Sequence, residues 1–207
     1  MEKVIFVQGP PGAGKSTLAR KAISEHSISH SLHEHLPVRF LPVGAHVRGV
    51  LSGELPSRFA GRVQQEGEAV RTLHLPSPEL VYTIVEDCLT MDSDGVTIVD
   101  GFPRDMELLD MLRASEKAGT LQVLGNVTVD VPDDVSIARQ MARESVDGHP
   151  ACDVTMALRR TTEYRRITEP VVRAVSTLWG GEVIDGQQSI SVAGPLFTAA
   201  LRRTLAR

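Results

Sequence analysis

The apolar run VIFV at residues 4 to 7 breaks off into GPPGAGKST at 9 to 17, and a helical pattern follows. Strand, glycine-rich turn, helix: that order leaves few folds open. VIFV is short, apolar and rich in strand formers, so KVIFVQ (3 to 8) reads as a buried strand ended by Gly-Pro-Pro. The glycines let the loop turn so that successive backbone N–H groups point inward, and the helix starting near Lys15 adds its positive N-terminal end. Leu18, Ala19, Ala22 and Ile23 share one face of that helix. Gly9, Gly14, Lys15 and Ser16 meet the spacing GxxxxGK[ST], a cradle for a polyphosphate. Lys15 reaches the β- and γ-phosphates there, and the Ser16 hydroxyl suits Mg²⁺.

Further strands read at 38 to 44 (VRFLPVG), 95 to 100 (GVTIVD), 122 to 131 (QVLGNVTVDV) and 182 to 185 (EVID). Helices are expected at 105 to 117, 133 to 144, 154 to 178 and 188 to 206. Between 45 and 92 the pattern is helical in pieces. HVRGVLSGEL is broken by Gly53 and Pro56, SRFAGRVQQEGEAVRTL continues despite its glycines, and SPELVYTIVEDCLTM opens on a Ser-Pro start with Glu79 in its first turn. SEHSISHSLHEHLP holds four histidines, yet it is polar and without period, so it reads as a helix end and loop rather than a metal cluster.

Strands alternating with helices predict a mostly parallel sheet covered on both faces. There is no internal repeat or linker. Residues 1–207 therefore read as a single α/β P-loop domain of three layers, with a central five-stranded parallel sheet and insertions at 44–92 and 144–154. A net charge of -4 argues against a general nucleic-acid binder, which needs clustered Lys and Arg. Cys88 and Cys152 lack metal-ligand spacing and read as reduced thiols. The opening apolar run is too short for a signal-peptide core, and no stretch approaches a membrane span, so a cytoplasmic protein is expected.

With GPPGAGKST near the start, DGFPR at 100 to 104 and a helix of the form RxxxY at 160 to 164, the chain resembles the adenylate kinase family over nearly its whole length. The resemblance implies a nucleoside monophosphate kinase that passes the γ-phosphate of ATP to an acceptor, AMP by default. It implies Mg²⁺, a helical acceptor-binding insertion (44–92), a short lid (144–154) and a monomer whose partners are nucleotides, not nucleic acid or membrane. Gly12, Ala13, Gly14, Lys15, Ser16 and Thr17 would hold ATP, and Ser16 with Asp100 would hold Mg²⁺ through water. Arg139 would lie against the donor adenine, Arg143 on donor phosphates, and Gly186 beside the adenine. Arg104 would clamp the acceptor phosphate and Arg48 close over it, while Gly44, His74, Leu75, Pro76, Gly101, Phe102, Pro103 and Leu108 complete the acceptor side. Lys15, Arg104, Arg143 and Arg160 form the implied catalytic set, Arg160 reaching in when the lid closes. Arg159, Arg165 and Arg166 read as the solvated face of a long helix.

The physical logic supports transfer over hydrolysis. A phosphoryl group in flight spreads charge over its oxygens, and arginines on separate flaps surround it only on closure, which also expels water. Two regions depart from the family. The lid loop reads DGHPACD, with His149 where an arginine is expected and Ala151 and Cys152 where aspartates would be; Asp153 remains. Histidine supplies only part of an arginine's charge at neutral pH. Leu108 stands where the family's base-reading glutamine falls, and Val43 and Ala45 where a threonine and an aspartate fall. Losing such polar partners changes which base is selected. A P-loop kinase for another small phosphorylated acceptor, or a nucleotide sensor with weak transfer, therefore stays open beside the kinase. Arg48 and Arg104 favour an acceptor that already carries a phosphate.

Overall fold

A computed structural model describes residues 2–24, 37–56, 76–90, 95–142 and 152–207. Five strands, β1 (Glu2–Gln8), β2 (Val38–Pro42), β3 (Val96–Asp100), β4 (Leu121–Asp130) and β5 (Gly181–Asp185), form one sheet in the order β2-β3-β1-β4-β5. Every pairing is parallel, as the alternation of elements predicts. The helices are α1 (Lys15–Ser24), α2 (Val43–Ser52), α3 (Pro78–Thr90), α4 (Met106–Lys117), α5 (Asp133–Ala142), α6 (Val154–Glu163), α7 (Glu169–Trp179) and α8 (Ile190–Leu205).

β1 shows why the sheet is covered on both sides. Val4 and Phe6 pack with Leu80, Val99, Phe102, Leu109 and Val171 in one core layer. Ile5 and Val7 point the other way, among Leu18, Ala19, Ile98, Phe197 and Leu201. Alternate residues of a strand face opposite sides, so a fully apolar strand needs two apolar layers. Each fully buried Leu, Ile or Phe contributes about 1.5–3 kcal/mol by leaving water. β1 lies between β3 and β4, so the chain leaves it in both directions across the sheet. A crevice opens at the carboxyl ends of strands beside such a switch point. The register aligns Val7 with Asp100 and Gln8 with Thr128, placing the phosphate loop, the DGFPR turn and the end of β4 along that edge.

Three expectations are corrected. The strand expected at 38 to 44 stops at Pro42, because Val43 already begins α2. The single helix expected over 154 to 178 carries a π turn, Tyr164–Thr168, between α6 and α7. Pro170 in the first turn of α7 explains it: proline cannot donate to a carbonyl four residues back and crowds it. Glu169 N–H instead reaches Tyr164 O, five residues back. At this turn Arg165 is not a solvated charge. It donates to Asp133 Oδ1 at 2.7 Å and Val131 O at 2.8 Å, with Glu169 and Asp130 at 3.4 Å. The π turn is thereby fastened to the start of α5. Arg159 and Arg166 are exposed, as expected.

At the opposite edge, where the strands begin, Trp179 Nε1 donates to Glu116 Oε2 at 2.7 Å while Glu116 Oε1 accepts from Val123 N. This ties α7 and α4 to β4. The histidine-bearing segment and the helix expected through 57 to 73 lie outside the described residues. Cys88 and Cys152 are free thiols, and no group of three or more potential metal ligands occurs among the described residues. No described helix is long and apolar enough to cross a membrane.

Candidate active site

The phosphate loop leaves β1 hard against β4. A Cβ on Gly9, at φ 143°, would lie 2.0 Å from Val129 O, so only glycine passes there. Gly12 in turn rests on α5: its Cβ would meet Ser136 O at 2.9 Å and Arg139 Cβ at 3.3 Å. Ala13 N donates to Pro10 O at 3.2 Å, and Leu18 N to Gly14 O at 3.0 Å opens α1. The Lys15 ammonium folds over the loop and donates to Gly9 O (2.9 Å) and Pro10 O (2.8 Å). Ser16 Oγ donates to Asp100 Oδ2 across the crevice. A hydroxyl and a carboxylate side by side are hard oxygen donors, the kind Mg²⁺ takes, so these residues fit the ion.

The DGFPR turn is pinned from below. Gly101 N donates to Val7 O at 3.0 Å, and Gln8 Nε2 to Pro103 O at 3.0 Å. The Phe102 ring is buried, 6.2 Å from Phe6 and 6.3 Å from Tyr82. These contacts aim Arg104, whose Nε donates to Gly101 O at 2.8 Å. Arg104 is open to solvent, yet the surrounding protein withholds enough water to push its pKa below the ordinary arginine value, against the pull of Asp100. It stays charged, since the starting value is so high.

Arg48 arrives from α2. A Cβ on Gly44 would lie 3.0 Å from Arg104 Nη2 and 3.5 Å from Arg48 Nη1. The two expected acceptor arginines therefore meet over one glycine. Forked guanidinium groups converging from different elements can hold a phosphate by charge-assisted hydrogen bonds. Val43 and Leu108 are each 3% exposed and belong to the same apolar layer as Phe102 and Leu80. Pro76 is half-buried just ahead of α3. His74 and Leu75 lie outside the described residues.

Among the residues expected on the donor side, Arg139 Nη1 donates to Gly186 O at 2.7 Å, and Gly186 N to Asp130 O at 2.8 Å. The two residues expected beside the adenine thus touch. A Cβ on Gly186 would strike Val129 Cγ1 and Val131 Cγ1 at 2.8 Å. Arg160 is half-buried on α6, with Nη1 3.8 Å from Cys152 Sγ. Asp153 caps α6, its carboxylate accepting from Met156 N at 2.7 Å. Arg143, His149 and Ala151 lie outside the described residues.

Sequence reasoning missed Ser136, Gln140 and Thr161. They are buried and bonded to one another, and Ser136 Oγ donates to Pro11 O in the phosphate loop at 2.7 Å. The available signal was two polar residues four apart on one face of a helix.

Comparison with known proteins places the whole chain. A family profile described as an AAA domain matches residues 8–154. Adenylate kinase 1 of Nostoc sp. is 31% identical over 196 residues, covering 91% of this chain and 92% of that protein. Adenylate kinase of Prochlorococcus marinus is 28% identical over 193 residues (93% and 94%), and that of Thermus thermophilus 29% over 177 residues (83% and 81%). In the first two, likeness at this level extends over more than nine-tenths of this chain and of the relative. The chain belongs to the adenylate kinase family.

Proposed function

We propose that the protein transfers the γ-phosphate of ATP to a nucleoside monophosphate, forming two nucleoside diphosphates. The convergence of Arg48 and Arg104 over Gly44 carries this assignment, because it builds a second anion site near the phosphate cradle. A hydrolase passes the phosphoryl group to water and needs no site for a second phosphate. Two arginines on a second site call for a phosphorylated acceptor.

Lys15 now sits on two neutral carbonyls. Phosphate oxygens are stronger acceptors for an ammonium, so ATP draws it off the loop and onto the group being transferred. Ser16 and Asp100 would hold Mg²⁺, which supplies positive charge to the donor phosphates. Arg104 and Arg48 hold the acceptor phosphate and turn one of its oxygens toward the γ-phosphorus. Arg160, with Arg143 from beyond the described residues, adds charge around the transferring group when the lid at 144–154 closes. Arg139 and Gly186 border the donor base.

AMP is the default acceptor, but the apolar side chains of Val43 and Leu108 favour a different or looser base preference. Buried in the core layer, they offer no hydrogen bond to a base edge. Two free thiols suit a cytoplasmic protein. The test is ADP release with Mg-ATP against AMP, GMP, CMP, UMP, dAMP and no acceptor. Acceptor-dependent release supports the kinase and ranks the bases; ATP binding without release on any acceptor would replace it with a nucleotide sensor.

A further inference from the structure

Three polar side chains occupy a place where apolar packing is the norm. Ser136, Thr161 and Gln140 are 0%, 1% and 6% exposed, in the seam between α5, α6 and the phosphate loop. Ser136 Oγ lies 2.7 Å from Pro11 O and 3.1 Å from Thr161 Oγ1. Gln140 Nε2 lies 3.0 Å from Thr161 Oγ1 and 3.3 Å from Ser136 Oγ, with Ser136 O and Ala157 O at 3.4 and 3.5 Å.

The chemistry of the two ends fixes the direction of every bond between them. A backbone carbonyl only accepts, so the single Ser136 hydroxyl proton goes to Pro11 O. Ser136 Oγ must then accept from Thr161, whose own oxygen accepts from the Gln140 amide. The amide cannot flip, since its oxygen would face two carbonyls that only accept. It keeps this orientation although Oε1 finds no partner among the described residues. The result is a one-way chain from Gln140 through Thr161 and Ser136 to Pro11. Aligned hydrogen bonds of this kind reinforce one another in a dry setting.

Its placement gives it a task. Thr161 follows Arg160 on α6, Gln140 follows Arg139 on α5, and Pro11 precedes Gly12 in the cradle. We propose that Ser136, Gln140 and Thr161 are positioning residues that hold the helices bearing Arg139 and Arg160 in register with the phosphate loop. This rests on the kinase assignment above for its effect on turnover, but not for the coupling itself.

Two substitutions at one site isolate the hydroxyl. Thr161→Val keeps the shape and removes the donor; Thr161→Ser keeps the donor. Thr161→Val is expected to lower kcat about tenfold, with KM for ATP nearly unchanged, because a small misplacement of charge acts on the transition state. Thr161→Ser is expected to stay near the wild-type rate. Ser136→Ala cuts the link to Pro11, and in the protein without nucleotide the Ala13 amide, bonded to Pro10 O, should exchange its hydrogen about threefold faster or more. Unchanged exchange in Ser136→Ala, or equal loss of rate in Thr161→Val and Thr161→Ser, would overturn the proposal. Should wild-type protein form no ADP with any acceptor, the kinase assignment falls, and the exchange measurement still decides the coupling.

Discussion

The two sides of the cleft, proposed above for donor and acceptor, are built from different material. On the donor side, Gly9 faces the backbone of β4, Gly12 faces the backbone of α5, and buried hydrogen bonds join loop to helices. On the acceptor side, Gly44 faces the tips of two long arginine side chains over an apolar floor. One is cast in main chain; the other is held by groups that can swing. This division suits a reaction in which the donor phosphates must stay fixed while the acceptor is gathered and released.

The largest effect that would break this picture is expected at Lys15. Replacing it with Ala should lower kcat by about 10²–10³ with an unchanged melting temperature, as for loss of a donor aimed at transition-state charge. Steady-state turnover checks it, and undiminished turnover removes Lys15 from the mechanism.

Next comes a matched pair of substitutions. Gly9→Ala should cost about 2–3 kcal/mol in chemical denaturation, because both its φ and the Val129 carbonyl oppose a Cβ. Gly44→Ala should stay within about 0.5 kcal/mol of wild type, since flexible arginine tips give way, and should instead raise the acceptor KM. Equal destabilisation at both would erase the contrast. Arg104→Ala should then raise acceptor KM about 10- to 100-fold, the worth of a charged hydrogen bond, with ATP binding little altered. Equal losses for both ligands would contradict separate sites.

The smallest effect concerns His46 on α2. Its Nε2 lies 2.8 Å from Cys88 Sγ, and burial holds its pKa below the ordinary 6.5, with Asp87 opposing. Burial and Asp87 raise the thiol, so it remains protonated and donates to a neutral imidazole. The unfolded chain takes up the proton first as pH falls. His46 therefore contributes fully above about 6.5, and that stability is lost as pH drops from there through the lower folded value. Melting curves from pH 7.5 to 5 should fall less steeply in His46→Gln; identical slopes would sever the link.

The sheet and the cradle were legible because they depend on local pattern: a run of four apolar residues, glycines at fixed spacing, a helix after them. Motif order alone singled out Arg104 and Arg48, which the fold brings to one glycine. The π turn was not legible, because the pattern through 154 to 178 is evenly helical and Pro170 alone marks the change of register. Arg165 was misread for another reason: its partners Asp130, Val131 and Asp133 lie on a distant segment. Ser136, Gln140 and Thr161 look like surface residues in sequence, since only tertiary contact shows that a hydroxyl has a carbonyl waiting. Asp153 reads as a remnant of the lid, whereas its carboxylate caps a helix.

Trp179 offers a last consequence. It is the chain's single indole, bonded to Glu116 at the edge where the strands begin, away from the crevice at their other ends. Its emission should therefore stay nearly constant while nucleotides bind and shift only when α7 peels from the sheet. The protein carries its own optical gauge of unfolding, blind to catalysis, so losses of fold and losses of chemistry can be told apart in one cuvette.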